Sequence, residues 1–434
     1  MSMKAGRKSR FSMAVVRTAC SVRSRSGLSG CRPKAKPKFK PKPVLLCGSL
    51  LSLALLCGCW DRVEINDVAF VIGSSFDKVN NQFITTVQIA LPSQLGGTGS
   101  VGGGGGTSGN QNYLLISKQA RTMYLANREI QAGLSRILNF SHRRLMILGE
   151  DFARSGIGSQ LDILGRFPQN RLSAYVVLSR GKAFDILSAE APIEQFPAEM
   201  ARELAKNTMR HPVNVKRMVN KLLNEGVDLA LPVMSIKDSS KDVPDKSKSL
   251  IAVDGLGVFR GDKLVGILDR DEGMLAVLGM GESLNPKIIL PRGDKDELIT
   301  INLNETKIRW TPSVQDSQLA IKIHFQAKGS ILENTTYEDI EGENLDGLEE
   351  QCGNYINENL GRVIEKLQRE YQSDIFGFGQ IIKSRYPQEW DKVKDRWHEV
   401  YPSVKVSLDS TIHLEGTNQL MNTLSVKGEK SNHD

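Results

Sequence analysis

The chain has 434 residues and a formal net charge of +8, with a pI near 9.0. That basicity belongs to one end: positions 1–59 hold 13 of the 57 Lys and Arg and no Asp or Glu, so the rest carries 44 basic against 49 acidic residues, a net of −5. Nucleic-acid binding argued from overall charge is therefore excluded, and a disulfide framework or cysteine-rich metal site is excluded because Cys20, Cys31, Cys47, Cys57 and Cys59 leave Cys352 as the one cysteine of the body.

A basic leader runs from Lys4 to Lys42 and alternates Lys with Pro, as in KPKAKPKFKPKP. Its plain reading is an extended tail or a start codon placed too far upstream. The uncharged apolar run Val44–Cys59 follows, ending in Gly58 and Cys59 before Trp60-Asp61-Arg62. A charged start, an apolar core of about 7–15 residues and a small residue at the cut describe a signal peptide. Here the cut would fall before Cys59, making Cys59 the lipidated first residue of the mature protein. Cys57 competes as acceptor, but bulky Leu56 precedes it. An uncleaved anchor is the alternative, since the 17 residues Val44–Trp60 lie at the short edge of the roughly 17–25 that span a bilayer. Both readings hold the basic flank inside and place the body outside the cytoplasm.

The 375 residues after Cys59 suffice for two or three domains. Val68–Asp77 and Gln82–Leu91 read as neighbouring strands joined at Lys78–Asn81. The Gly-rich stretch Gly96–Gly109, with five consecutive glycines at Gly102–Gly106, lacks the Lys-Ser/Thr of a phosphate-cradling loop and reads as a solvated tip. Tyr113–Ser117 is a short strand. Arg121–Phe140 carries Met123, Leu125, Ile130, Leu134, Ile137 and Leu138 at helical spacing. Arg144–Leu148 and Leu172–Leu178 read as strands, Leu161–Phe167 and Lys182–Ala189 as helices: a β-α-β rhythm over one mixed sheet.

Ala198–Thr208 and Val213–Asn224 are helix candidates of a middle region that the strand Leu229–Ile236 closes. The charged stretch Lys237–Lys248 is the best linker. Beyond it, Leu250–Phe259 and Lys263–Leu268 form a hairpin around Arg260-Gly261-Asp262, and Asp271–Leu278 is a short helix. Leu298–Trp310 and Leu319–Ala327 alternate apolar residues with period two. The longest helix, Leu345–Tyr371, has the stripe Leu345, Leu348, Cys352, Ile356, Leu360, Val363, Ile364, Leu367 and Tyr371, which makes Cys352 a buried core residue. Asp374 caps a helix through Phe376–Arg385. Pro387 opens another, whose Trp390 and Trp397 share a face, and Pro402 ends it. Val404–Leu414 is the last strand. The fold class is α+β, multidomain mixed α/β: an N-terminal β-α-β-type domain over 59–190 after the leader and signal peptide of 1–58, a helical middle region and linker over 191–248, and an α+β domain over 249–428 in which a long helix packs on an antiparallel sheet.

Catalytic motifs are missing. There is no Walker A pattern, no G-x-S-x-G elbow and no H-E-x-x-H. Gly255-Leu256-Gly257 sits inside a hairpin and lacks a third glycine. His142, His211, His324, His398, His413 and His433 are scattered singly. Asp269, Asp271 and Glu272 do not have the spacing of a Ca²⁺ loop and suit a helix start better. Trp390 and Trp397 could form a ligand platform, but packing explains them.

An ordered series of short motifs does carry a resemblance. The cysteine followed by Trp60-Asp61-Arg62 and Glu64-Ile65-Asn66 leads to a strand ending in Phe76-Asp77-Lys78. Then come His142-Arg143-Arg144, Leu148-Gly149-Glu150, Phe167-Pro168, Arg171-Leu172-Ser173-Ala174-Tyr175 and Gly181-Lys182-Ala183. The second half has Gly257-Val258-Phe259, Asp262-Lys263-Leu264-Val265-Gly266, Leu268-Asp269, Ser373-Asp374-Ile375-Phe376-Gly377-Phe378-Gly379, Trp390, Trp397 and Pro402. Over residues 59–416 this resembles the Ger(x)C spore-germination lipoproteins; the long leader and the poly-Gly insert depart from the pattern.

The resemblance implies a non-enzymatic lipoprotein subunit of a nutrient germinant receptor, with mixed α/β domains and no cofactor or metal. It implies a place on the outer surface of the spore inner membrane, beside integral-membrane subunits of the A and B type, with a small-molecule germinant as a possible ligand and no nucleic acid. It transfers one functional position, the palmitate-bearing lipidation site at Cys59. A solute-binding lipoprotein of a transporter is the alternative, against which the long amphipathic helix and the ordered motifs argue.

Overall fold

The computed structural model describes residues 64–91, 112–166, 169–238, 249–292, 297–316, 318–336, 340 and 343–417. The leader, the apolar run with Cys59, the glycine-rich stretch 96–109, residues 239–248 of the charged loop and His433 lie outside the described residues.

The first half is built on β1 (Val68–Val79), β2 (Gln82–Ala90), β3 (Tyr113–Ala120), α1 (Met123–Ala132), β4 (Ile137–Asn139), β5 (Leu145–Gly149), α2 (Glu150–Arg154), α3 (Gly158–Arg166), β6 (Tyr175–Ser179), α4 (Ala183–Ser188), α5 (Pro197–Lys206), α6 (Val215–Leu223) and β7 (Ala230–Asp238). The hairpin β8 (Ser249–Arg260) and β9 (Lys263–Leu268) adds to the same sheet, whose order is β3-β2-β1-β5-β6-β7-β8-β9 with β4 on β1. Strand pairing thus continues across position 248, β7 lying antiparallel to β8. The centre, β1-β5-β6-β7, is parallel. Parallel strands need helical crossovers that cover both faces, so their residues read as continuous apolar runs; all five residues of β5 are buried.

Period-two alternation sorts those runs. Leu145, Ile147, Val177 and Met234 face Ala183, Ile186, Leu187, Ala198 and Ala201 of α4 and α5. Met146, Leu148, Val176, Leu178 and Val233 belong to the opposite cluster with Phe152, Leu161 and Met218. That second cluster continues without a break into the C-terminal half.

The C-terminal half comprises α7 (Arg270–Gly279), β10 (Lys287–Arg292), β11 (Glu297–Gln315), β12 (Gln318–Asn334), α8 (Glu343–Lys366), α9 (Phe378–Arg385), α10 (Pro387–Val393), α11 (Trp397–Val400) and β13 (Lys405–Thr417). Its sheet has the order β10-β11-β12-β13. Ile299, Ile301 and Leu303 of β11 and Leu319, Ile321, Ile323 and Phe325 of β12 are buried on one face. On α8, Leu348, Cys352, Ile356, Leu360, Val363 and Ile364 are buried, and burial pushes the Cys352 thiol up to about 12. A thiol so placed stays protonated and inert. One turn of wider, π-type helix, Leu367–Tyr371, ends α8, and Gln372 leaves it in the left-handed conformation.

Three local expectations change. The helix placed over Arg121–Phe140 stops at Ala132: Gly133 takes the cap position, Gln131 donates Nε2–H to the Arg136 carbonyl and accepts the Leu138 N–H, and Ile137–Asn139 pairs in parallel with Val68–Phe70. The last strand joins β12 in parallel rather than antiparallel, because the chain between them is the long α8 crossover and not a hairpin. Trp390 and Trp397 are not on one helix; a tight turn at Lys394–Arg396 separates α10 from α11, yet the rings meet edge to face at 5.2 Å.

Asp77, at the end of β1, ties the first sheet to a helix it does not belong to. Its Oδ1 accepts the Ala183 N–H at 2.7 Å and its Oδ2 the Phe184 N–H at 3.0 Å, capping α4 where Lys182 supplies no side-chain bond. A side chain at Gly149 would strike this carboxylate. Burial pushes the Asp77 carboxyl up, and the two N–H groups pull it back. Removing a cap typically costs about 1 kcal/mol, and a buried unpaired N–H adds about 1–3 kcal/mol. Asp77→Ala is expected to lower stability by about 2 kcal/mol, read as a lower urea midpoint at unchanged m-value; an unchanged midpoint would refute the cap.

Candidate functional site

A network of polar groups is buried where α6, the β8–β9 hairpin and the C-terminal helices meet. It begins with Asp374, fully buried. Its Oδ1 accepts the N–H groups of Gly377 at 2.8 Å and Phe378 at 3.0 Å; its Oδ2 accepts Gly379 N–H at 2.9 Å and the Trp397 indole Nε1–H at 3.0 Å. The carboxylate therefore starts α9, as the capping expectation held, although Gly377 occupies the formal cap position at φ 77°. It also fixes Trp397, which packs on Trp390 and Tyr401.

Asp228, just before β7, completes the arrangement. Its N–H donates to the Asp374 carbonyl at 2.8 Å, its Oδ2 accepts the Asp374 N–H at 2.8 Å, and its Oδ1 accepts Gly261 N–H in the β8–β9 turn at 2.9 Å. Ser373 Oγ donates to the Phe259 carbonyl at 2.5 Å. His398 Nδ1 lies 3.6 Å from Asp228 Oδ2 and 3.3 Å from the Gln372 carbonyl. Backbone packs against backbone beside it: a Cβ on Gly379 would stand 2.5 Å from Gly226 Cα, and Gly226 is itself at φ 73°. Only glycine fits both positions.

Burial pushes the Asp374 carboxyl up to about 7; the charge of Asp228 adds to the rise, while the Gly379 and Phe378 N–H groups and the Trp397 indole oppose it. Asp228 is raised too, again by burial, with His398 pulling it down. Raised carboxylates in clefts are candidate acids or bases. Here every oxygen of the pair is already engaged by N–H donors of the fold, and neither residue is exposed to a substrate. The arrangement positions chain segments.

The sequence-derived candidates fall in several places. Asp269 accepts the Asp271 and Glu272 N–H groups while Glu272 accepts the Asp269 N–H, a capping box that opens α7. Glu272 also holds Lys366 of α8 at 2.8 Å. Among the described residues no group of three or more His, Cys, Asp or Glu side chains converges to hold a metal ion. Asp228 and Lys221 were missed; neither stands in a recognisable local motif. Phe76-Asp77, Leu148-Gly149 and Gly181-Lys182-Ala183, far apart in sequence, converge on the Asp77 cap, and Ser373–Gly379, Trp390 and Trp397 converge on Asp374.

Folding takes up a proton at Asp374 between its ordinary value of 3.8 and about 7. Its contribution to stability is thus full below the lower value and falls as pH rises toward the upper one. Asp374→Asn is expected to flatten that slope and to cost about 2–4 kcal/mol at pH 7, because an amide can accept from Gly377 and Phe378 but turns donors toward Gly379 and Trp397. Urea unfolding at several pH values tests both; a variant with wild-type stability and slope would overturn the assignment.

Comparison with known proteins places this architecture. The family model described as the spore germination protein N-terminal domain matches residues 61–236, and the model described as spore germination B3/GerAC-like, C-terminal matches residues 254–418. The chain is 36% identical over 386 residues to the putative spore germination protein YfkR of Bacillus subtilis (strain 168), covering 88% of this chain and 97% of that protein. It is 24% identical to spore germination protein KC and 25% identical to spore germination protein B3 of the same organism, covering 85% and 82% of this chain and 94% and 93% of those proteins. Its fold is similar to the crystal structure of the GerBC protein, with a TM-score of 0.51 at 20% identity over 82% of this chain and 100% of that one. With both halves matched in order, the chain belongs to the Ger(x)C family of spore germination proteins.

Proposed function

We propose that this protein is the lipid-anchored subunit of a spore nutrient germinant receptor, held on the outer surface of the spore inner membrane and acting by contact with integral-membrane subunits of the A and B type. The observation that carries the reading is the ordered match of residues 61–236 and 254–418 to spore-germination models, directly behind an apolar run that ends at Cys59. The relatives KC, B3 and A3 bear spore-germination names.

The physical reading follows. No helix among the described residues is long and apolar enough to cross a membrane. With a net of −5 after Cys59, the body gains no electrostatic pull toward an anionic leaflet. Attachment then falls to the N-terminus. A thioether-linked diacylglycerol on Cys59 supplies two chains, and two chains hold stably where one binds marginally. Four residues separate Cys59 from Glu64, a tether of at most about 18 Å, which raises the effective concentration of the body around membrane partners. The buried carboxylates Asp77, Asp228 and Asp374 serve backbone N–H groups and not a substrate, which supports a role by surface contact rather than by catalysis.

Cys59→Ala, expressed in spores in place of the wild type, tests the reading. The variant is expected to lose the acyl mass adduct, to move from the detergent phase to the aqueous phase on phase separation, and to abolish the nutrient response that depends on this receptor. A variant that stays in the detergent phase and keeps that response would refute anchoring through Cys59.

A further inference from the structure

A cleft of about 650 Å³ opens where α6 faces β11 and α9. Small-molecule sites usually span about 300–1,000 Å³. Two cationic side chains on its wall have little or nothing to donate to among the described residues. Among the described residues Lys221 of α6 has one acceptor, the Asp228 carbonyl, at a long 3.4 Å. Burial lowers the Lys221 pKa, while the carboxylates of Asp374, Glu282 and Asp228 hold it up. Trp310 of β11 lends its ring to the wall, while its indole N–H is buried and has no acceptor among the described residues. Arg385, at the end of α9, makes no ion pair among the described residues.

Glu282 Oε2 is taken by the His211 N–H at 3.0 Å and by His211 Nδ1 at 2.9 Å. The remaining wall includes the ring of Phe376. A partly desolvated ammonium and a guanidinium without an ion pair among the described residues stand on this wall beside two aromatic rings. Such a surface is completed by a ligand rich in acceptors, and a carboxylate matches ammonium and guanidinium through charge-assisted bonds.

We propose that this cleft binds a small organic anion, a carboxylate on an apolar or aromatic body. The carboxylate meets Lys221 and Arg385; the body lies against Phe376 and the Trp310 ring. The donors come from α6 and α9, so an occupant would tie the first half of the chain to the second. Nothing in this depends on acylation of Cys59, so failure of either reading leaves the other standing.

The chain has four tryptophans, so the indole ¹⁵N–¹H spectrum of the full-length protein in detergent micelles is simple. Trp310→Phe identifies the Trp310 signal. Phenylacetate at pH 7 is the probe, with neutral phenylacetamide and cationic phenethylamine as controls of the same size. The expected result is a saturable shift of the Trp310 signal with phenylacetate and binding of phenylacetamide and phenethylamine weaker by about tenfold or more, as for loss of a charge-assisted contact. Lys221→Gln should weaken phenylacetate by about tenfold and Arg385→Gln by several-fold. Arg385 is exposed, so its variant remains informative if Lys221→Gln does not fold. No shift with phenylacetate, an equal shift with phenylacetamide, or wild-type affinity in Arg385→Gln would each overturn the proposal.

Discussion

The reciprocal bonding of Asp228 and Asp374 joins segments that local structure alone would leave apart. Each residue's N–H is satisfied by the other, at 2.8 Å in both directions, across 146 positions of sequence. Asp228 leads into β7 of the first sheet; Asp374 leads into α9; Gly261 in the β8–β9 turn is gathered by the same Asp228 carboxylate. Burying two carboxylates is costly unless every oxygen is matched. Here five N–H groups and an indole N–H match them. The cost of the buried charge and the specificity of the arrangement are two sides of one constraint: move any of the three segments and a buried acceptor loses its donor.

Around that point the apolar packing is continuous. The cluster that contains Met146 and Leu178 of the first sheet also contains Leu348 and Ile356 of α8 and Trp390 of α10. Within the described residues the two stretches matched by separate family models are therefore packed as one body. Gly226 and Gly379 show how close the packing is. Their main chains approach so nearly that neither position has room for a methyl group. This accounts physically for the glycines of the Ser373–Gly379 motif: Gly377 turns the chain at positive φ, and Gly379 lets it lie on Gly226.

What could be read from the chain is what short-range pattern encodes. The stripe on α8 was legible, including Cys352, because one helix face must be apolar at steps of three and four. The cap at Asp374 was legible because an acid stands before a helix start. The break after Ala132 was not, since Ile137 and Leu138 keep helical spacing and only their pairing with Val68 and Ala69 reveals a strand. The parallel β13 was hidden for a similar reason: strand direction depends on how the crossover runs, and residue alternation is the same in either direction. Asp228 was invisible altogether. Its partners are Asp374 and Gly261, and nothing in Val227-Asp228-Leu229 announces them.

The distribution of polar chemistry bears on how such a molecule works. Its most perturbed carboxylates are spent on holding chain segments, and its thiol at Cys352 is sealed in a helix stripe. The donors left open lie instead at the seam, on Lys221 and Arg385. The one acceptor of Lys221 among the described residues is the carbonyl of Asp228, whose carboxylate binds the Asp374 N–H. A charge arriving beside Lys221 would therefore act one residue away from the reciprocal pair on which the junction of the two halves depends. An element so placed can transmit occupancy as a change in how firmly the halves are joined, without any bond being made or broken, provided the occupant binds the joined arrangement better than a loosened one.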